Sequence, residues 1–465
     1  MPDSSSGFVR AAGRQILDPT GQPIRLRGVN LGGMLNMEHF VTGFVATENL
    51  MRTSLVEVLG ATRSELFFGH LLQAMFAESD AQLLQDMGVN SVRIGFNYHH
   101  FEDDLAPFTL KATGLTLLDR VVDLCAKHGI YSILDFHALP GGQNAGWHSD
   151  NPTHLPLLWQ YRHFQDRAIW LWEQLAAHYR DNPWVAGYNL LNEPADPTGQ
   201  AVAAFYRRLM PAVRAVDPNH MLFVDGNRYA TEFDVFDEPW DNTVYTCHDY
   251  AIASLRREGS YPGLTDGEWF DASRLQAKFL QRTAYARATG TPLYVGEFAP
   301  IYTGDTIRDQ QLYQILEDQL AIYREHGAGW CTWMYKDLGR QGLVGVRSDT
   351  PYRRRFDKFV EKKQRLATDA WGTDFSAVAP IIDPVVELVK REFPDFDGYP
   401  WGTEYWVQTL VPHIVFAQPM VGEYANAFRD LDAAELTALA ESFTLANCDL
   451  REGLHDRLSA DLGEK

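Results

Sequence analysis

Short apolar runs alternate along most of the chain with longer stretches in which apolar residues recur every three or four positions. The short runs predict strands at 25–29, 91–94, 131–136, 187–191, 221–224, 243–247, 293–296 and 329–333. The longer pattern predicts helices at 80–87, 115–127, 165–179, 201–216, 273–288 and 309–325. Eight strands alternating with helices predict an α/β protein of the (β/α)8 TIM-barrel kind. A doubly wound open sheet is the alternative, but no GxGxxG follows the first strand and no phosphate-binding Walker loop occurs.

Two insertions interrupt the alternation, at about 39–78 and at 139–165. The second is rich in Gly, Asn, His and Trp. On the catalytic face of a barrel, long loops shape a pocket. The alternation stops near residue 350, which divides the chain into a catalytic barrel, 1–350, and a C-terminal helical extension packed on it, 351–465. Helical patterns at 384–392 and 433–443 lie in the extension, and no Ser/Gly/Pro-rich linker or internal repeat separates it. Its basic stretch, 353–363, reads as a solvated face. Trp401, Tyr405 and Trp406 either pack the extension onto the barrel or form a sugar platform. The extension also offers a surface for subunit contact.

Polar or aromatic residues close the predicted strands: Arg93, His137, Asn192-Glu193, His248, Glu297 and Trp333. In a (β/α)8 barrel those ends converge on one face, where the active site is built. Glu193 and Glu297 carry the functional reading. Two carboxyl groups across a pocket suit glycoside hydrolysis, one protonating the leaving oxygen and the other attacking the anomeric carbon. Unequal environments divide the roles. Asn192 is placed to bind a sugar 2-hydroxyl, Arg93 to keep the nucleophile ionised, and His248 and Tyr250 to orient and tune the carboxyls.

Composition narrows the partners. With 45% hydrophobic and 12% aromatic residues the chain is not of the disordered class. No run of about 20 uncharged apolar residues offers a membrane span. Against 41 Lys and Arg stand 61 Asp and Glu, a net charge of −20, which repels nucleic acid and anionic membranes but not a neutral carbohydrate. The four cysteines form no CxxC pair, so no zinc or redox site is expected. Adjacent His99 and His100 lack a spaced third ligand, so no metal and no other cofactor is expected. Residues 1–6 show no basic region followed by an apolar stretch, which predicts a cytoplasmic protein, with secretion the alternative for a shortened chain.

The motifs together resemble glycoside hydrolase family five, the large cellulase family of retaining β-glycosidases on a (β/α)8 barrel. The resemblance rests on Arg93 in Val-Arg-Ile, His137 in Leu-Asp-Phe-His, Asn192 and Glu193 in Leu-Leu-Asn-Glu-Pro, His248 and Tyr250 in His-Asp-Tyr, Glu297 in Val-Gly-Glu-Phe and Trp333 in Thr-Trp-Met-Tyr. It implies that Glu193 is the acid/base, Glu297 the nucleophile and Trp333 a floor for the sugar. Arg27-Gly28-Val29-Asn30-Leu31-Gly32-Gly33 and the segment Phe136 to Asn144 resemble the branch of exo-β-1,3-glucanases and β-glucosidases. That branch implies Glu38 as a ligand of the terminal sugar. Met34 and Leu139 depart from its pattern. Asn144, Trp147 and His148 either line the pocket or hold their loop together. The expected protein is a retaining β-glycoside hydrolase, an exo-acting β-glucosidase or exo-β-glucanase on oligosaccharides or small glycosides. The alternatives are an endo-acting glucanase, a mannanase or mannosidase and, remotely, a non-catalytic carbohydrate-binding barrel.

Overall fold

The computed structural model describes residues 7–369 and 372–464. Residues 1–6, which bear on localisation, lie outside the described residues. Eight parallel strands close into a barrel: β1 (Arg27–Asn30), β2 (Ser91–Asn97), β3 (Tyr131–Ala138), β4 (Val185–Asn189), β5 (Met221–Asp225), β6 (Thr243–His248), β7 (Leu293–Glu297) and β8 (Gly329–Thr332). Neighbours in sequence are neighbours in the sheet, and β8 pairs with β1 to close the ring. The strands read as apolar runs because both faces are covered, one by the barrel interior and the other by helices. Every residue of β2, β4, β5 and β6 is buried.

The N-terminal end of the barrel is plugged. A hairpin of Arg10–Ala12 and Gln15–Leu17 lies there, and Val9 and Ile16 join Leu26, Met221, Phe223 and Tyr294 in one apolar cluster. Each such aliphatic side chain contributes about 1.5–3 kcal/mol by leaving water. Function is thereby confined to the opposite, C-terminal face.

Several predicted elements differ in detail. The helix expected over 273–288 is two, Ala272–Arg282 and Ala284–Thr289. Thr283 leaves helical geometry between them, its hydroxyl donating to the Phe279 carbonyl four residues back. The first insertion is itself helical, with His39–Thr42, Glu48–Leu59 and Ala61–Met75. The helix expected from Pro384 starts earlier, at Ala379, with a second proline in its first turn and Pro384 inside it.

The extension is mostly helical, but it also adds a strand. Cys448–Leu450 pairs antiparallel with Val344–Val346, which pairs in turn with Lys336–Asp337 just beyond β8. Helix Ala433–Glu441 packs on Ala61–Met75, and Ala417–Asn426 packs on Glu48–Leu59. The basic stretch is not wholly solvated. It forms helix Pro351–Arg365, which buries Tyr352, Phe356, Phe359 and Lys363. The Lys363 ammonium lies 2.7 Å from Asp369 and donates to the carbonyls of His39 and Phe44, which removes it from any surface patch. Among the described residues no helix is long and apolar enough to cross a membrane.

Candidate active site

Glu193 and Glu297 face each other on the C-terminal side of the barrel, 5% and 4% exposed. A carboxylate oxygen of each and a ring nitrogen of His248 lie within 4.8 Å of one another. That closeness comes from backbone placement. Glu297 is the last residue of β7, while Glu193 stands four residues beyond β4 at φ 46°. A left-handed conformation is costly for a residue with a Cβ and persists where the surroundings dictate it. Here they do. The Glu193 N–H donates to Asp225 at the end of β5, and its carbonyl accepts from the Asn144 amide at 2.9 Å.

The Glu297 carboxylate takes one donor on each oxygen. Arg93 donates to Oε1 at 2.7 Å, and the Tyr250 hydroxyl donates to Oε2 at 2.9 Å. Arg93 sits third in β2 and points into the ring of strands. Its other hydrogens go to Asn30, Asn189 and Asn192, and it pairs with Asp135 at 3.0 Å. Burial alone would weaken its charge, but the surrounding carboxylates outweigh that and raise its pKa. Replacing Arg93 with methionine leaves two buried carboxylates without their cation. We expect a loss of about 3–5 kcal/mol in unfolding free energy, measured by urea denaturation. A change under about 1 kcal/mol would contradict this account.

Glu193 meets two imidazoles. His248 Nδ1 is 2.7 Å from Oε1, and His148 Nε2 is 3.1 Å from Oε2. Burial pushes the Glu193 carboxyl up, but the charges and hydrogen bonds of His248 and His148 outweigh it and hold the group below the usual carboxylate range. His248 moves the other way. Burial pulls its pKa down, and the charges of Glu297, Asp225 and Glu193 raise it more. The two carboxyls thus bond to unlike groups: a guanidinium and a phenol on one, two imidazoles on the other. His248 lies between them, 3.5 Å from Glu297 Oε2. It fits there because residue 296 is glycine: a Cβ would come within 3.1 Å of its ring and 2.6 Å of Thr246 Oγ1.

The remaining predicted residues divide. Trp333, one residue past β8, stacks on His137 with centroids 5.3 Å apart. Asp135 holds His137 Nδ1 at 2.6 Å. Burial lowers the His137 pKa, and Asp135 more than reverses that, to about 10. Its Nε2 lies 3.7 Å from Glu38 and 3.3 Å from the Asn192 amide, so both reach the site. Asn144 does not line a pocket. It is fully buried, with its amide on the Glu193 carbonyl and on His148, so it braces the backbone. Trp147 offers no open face to a ligand. Its ring stacks on His413 of the extension at 3.6 Å, with His39 edge-on at 5.1 Å. His148 instead touches Glu193 directly. His99 and His100 pair with Asp104, Asp150 and Glu48, fastening the two insertions to each other.

Sequence reasoning missed three supports. Asp225 closes β5, and the strand-end rule that selected the others would have found it. Asp135 stands two residues before His137, hence on the same face of β3. Gln143 donates to the His137 and Asn192 carbonyls; it lies in the motif segment Phe136 to Asn144, but was not singled out there. The cluster Glu193, His248 and Glu297 has the donor types of a metal site. Yet both Glu297 oxygens already take donors, one from a guanidinium that would repel a cation, so the residues do not fit one.

Residues 61–339 match the sequence profile of the Cellulase family, glycosyl hydrolase family 5. The chain is 42% identical over 468 residues to a β-xylosidase of Phanerodontia chrysosporium, covering 97% of this chain and 98% of that protein. It is 24% identical over 361 residues to a probable glucan 1,3-β-glucosidase A of Aspergillus niger, covering 68% of this chain and 84% of that one. The fold is shared with an endogalactoceramidase, at TM-score 0.54 and 18% identity over 76% of this chain and 77% of that one. It is also shared with the endoglucanase Cel5A of Thermotoga maritima, at TM-score 0.50 and 16% identity over 68% and 91%. With the profile spanning more than half of the chain and a relative aligned along nearly all of it, this protein belongs to glycosyl hydrolase family 5 and is a glycosidase.

Proposed function

We propose that the enzyme is an exo-acting, retaining β-glycosidase that releases a terminal sugar from short oligosaccharides or small glycosides. Glu297 attacks the anomeric carbon while protonated Glu193 gives its proton to the departing oxygen. Glu193 then takes a proton from water, which attacks the glycosyl-enzyme from the same side and leaves the sugar with its β-configuration. Carboxyl groups about 5–5.5 Å apart serve this route, whereas the inverting route needs room for a water between them. The observation that carries the reading is the unlike surroundings of two close carboxyls. Arg93 and Tyr250 aim Glu297, while His248 shares a proton with Glu193. Asn192 is placed to bind the 2-hydroxyl, and Glu38 and Trp333 to hold the terminal sugar.

Two features support the exo habit. The insertion 139–165, which brings His148 to Glu193, is locked to the extension through Trp147 and His413. Glu38, on the other insertion, reaches His137. For the sugar, the long relative is named a β-xylosidase, and xylose is glucose without its hydroxymethyl group. Both therefore head the panel that tests the proposal: aryl β-xyloside, glucoside, galactoside, mannoside and fucoside beside laminarin-type and cellulose-type chains. Release of single sugars from one end is expected. Activity on long polymers alone, with mid-chain cleavage, would overturn the exo reading in favour of an endo-glucanase or mannanase.

The proton on the Glu193–His248 pair sets the alkaline limit. His248 is held above the ordinary histidine value of about 6.5, and Glu193 below its own, so the last proton leaves the pair above that pH. kcat/KM is expected to hold through about pH 6.5 and to fall as pH rises beyond it. An alkaline limb centred below about pH 6 would contradict the pairing.

A further inference from the structure

A file of rings leads away from Glu193, and its outermost member comes from the C-terminal extension. His148, 3.1 Å from the Glu193 carboxyl, has its ring centroid 5.9 Å from that of Tyr229. Tyr229 is in turn 5.7 Å from Trp401. The file lies on the side of the carboxyl that meets the leaving group, because Glu193 is the group proposed to protonate it.

The ring positions are held from several directions. The Tyr229 N–H donates to the carbonyl of Pro194, next to Glu193, at 3.1 Å. Arg228, Tyr229 and Ala230 are three successive residues at φ 50°, 58° and 57°. Left-handed backbone in non-glycine residues persists where its surroundings impose it, and it clusters at ligand sites. Arg228 joins the two parts of the chain. Its guanidinium lies 5.2 Å from the Trp401 ring centroid and donates to the Pro400 carbonyl at 2.7 Å. The Tyr399 hydroxyl donates to the carbonyl of Asp196, three residues after Glu193, at 3.1 Å. Phe396 and Trp406 brace the segment edge to face, centroids 4.9 Å apart. Trp401 nevertheless remains 44% exposed, an indole fixed in place with much of its surface in solvent.

We propose that Tyr229 and Trp401 form a two-ring platform for the leaving group, so that the extension takes part in selecting the substrate. The ligand is a six-membered ring with a flat apolar face, either a pyranose or an aryl group, attached to the glycosidic oxygen. Rings of this kind stack on aromatic faces, and the indole offers the largest one. The proposal rests on the reading of Glu193 as the proton donor.

The test compares Trp401→Ala and Trp401→Phe with the unaltered enzyme on three donors of the same sugar: the glycosyl fluoride, which has no ring in its leaving group, the disaccharide or aryl glycoside, which has one, and the trisaccharide, which has two. For Trp401→Ala the ratio of kcat/KM on the disaccharide to that on the fluoride is expected to fall about tenfold, chiefly through KM. The trisaccharide ratio is expected to fall at least as far, and Trp401→Phe to recover most of both. The disaccharide and the aryl glycoside separate a pyranose preference from an aryl one. Ratios unchanged in Trp401→Ala, with all three donors affected equally, would overturn the platform. A Glu193→Ala enzyme whose kcat/KM falls equally on the fluoride and on the disaccharide would overturn the reading of Glu193 instead, and the platform with it.

Discussion

Replacing Glu297 with glutamine is expected to lower kcat by about 10^4-fold or more on the best aryl glycoside. The amide matches the carboxylate in size; its oxygen can still accept from Arg93, and its NH2 can donate to the Tyr250 hydroxyl oxygen. Folding should therefore survive, which circular dichroism checks. What is lost is the nucleophile, since a neutral amide oxygen does not form the glycosyl-enzyme. Turnover near that of the unaltered enzyme would remove Glu297 from the chemistry altogether.

The second large effect is selective. Glu193→Ala removes the proton donor, so substrates that need protonation of the leaving oxygen, such as disaccharides, should lose about 10²–10⁴-fold. A dinitrophenyl glycoside, whose leaving group departs unprotonated, should keep most of its first step and stall at the second, where a base for water is missing. A burst of dinitrophenol followed by a slow steady state is the expected trace. Added azide needs no base and should restore turnover, giving the β-glycosyl azide. An equal loss on both substrates, without a burst or rescue, would mean that Glu193 is structural.

Much of the barrel was legible because its strands are covered on both faces and stand out as apolar runs. The site was legible for the same reason in reverse. A polar residue where such a run ends, as at His137, His248 and Glu297, has few structural reasons to be there; Arg93, expected at a strand end, instead stands third in β2, and a charge inside a buried strand has fewer still. The pattern gave way where contacts are made across the chain. Arg93 carries one charge in sequence, yet its role depends on Asn30, Asp135, Asn189, Asn192 and Glu297 arriving from four other strands or strand ends. Trp147 read in sequence either as a pocket aromatic or as a residue holding its own loop. Its partner His413 is 266 residues away, and only the folded chain discloses the stack. Lys363 looked solvated because its neighbours are basic, but the helical period turns that one position inward to Asp369. For Asn144 the sequence left pocket lining and bracing open, because a buried amide and a pocket amide have the same letter; the fold makes it a brace.

The helical extension also alters how the site is understood. A barrel alone would present Glu193 and Glu297 on an open face. Here the loop after β3 is stacked on the extension, and the same loop supplies His148 to Glu193. Under the proposed platform, the leaving group is read partly by residues of the extension, beyond the barrel.

The central claim is a covalent glycosyl-enzyme on Glu297, and it is tested most directly by trapping. A 2-deoxy-2-fluoro-β-glycoside of the preferred sugar, with dinitrophenol as leaving group, forms the intermediate quickly and breaks it down slowly. The account predicts one sugar bound per chain, loss of activity in step with labelling, and the added mass on the peptide that carries Glu297. A label on any other residue, or continued turnover to the α-sugar with no label, would contradict it.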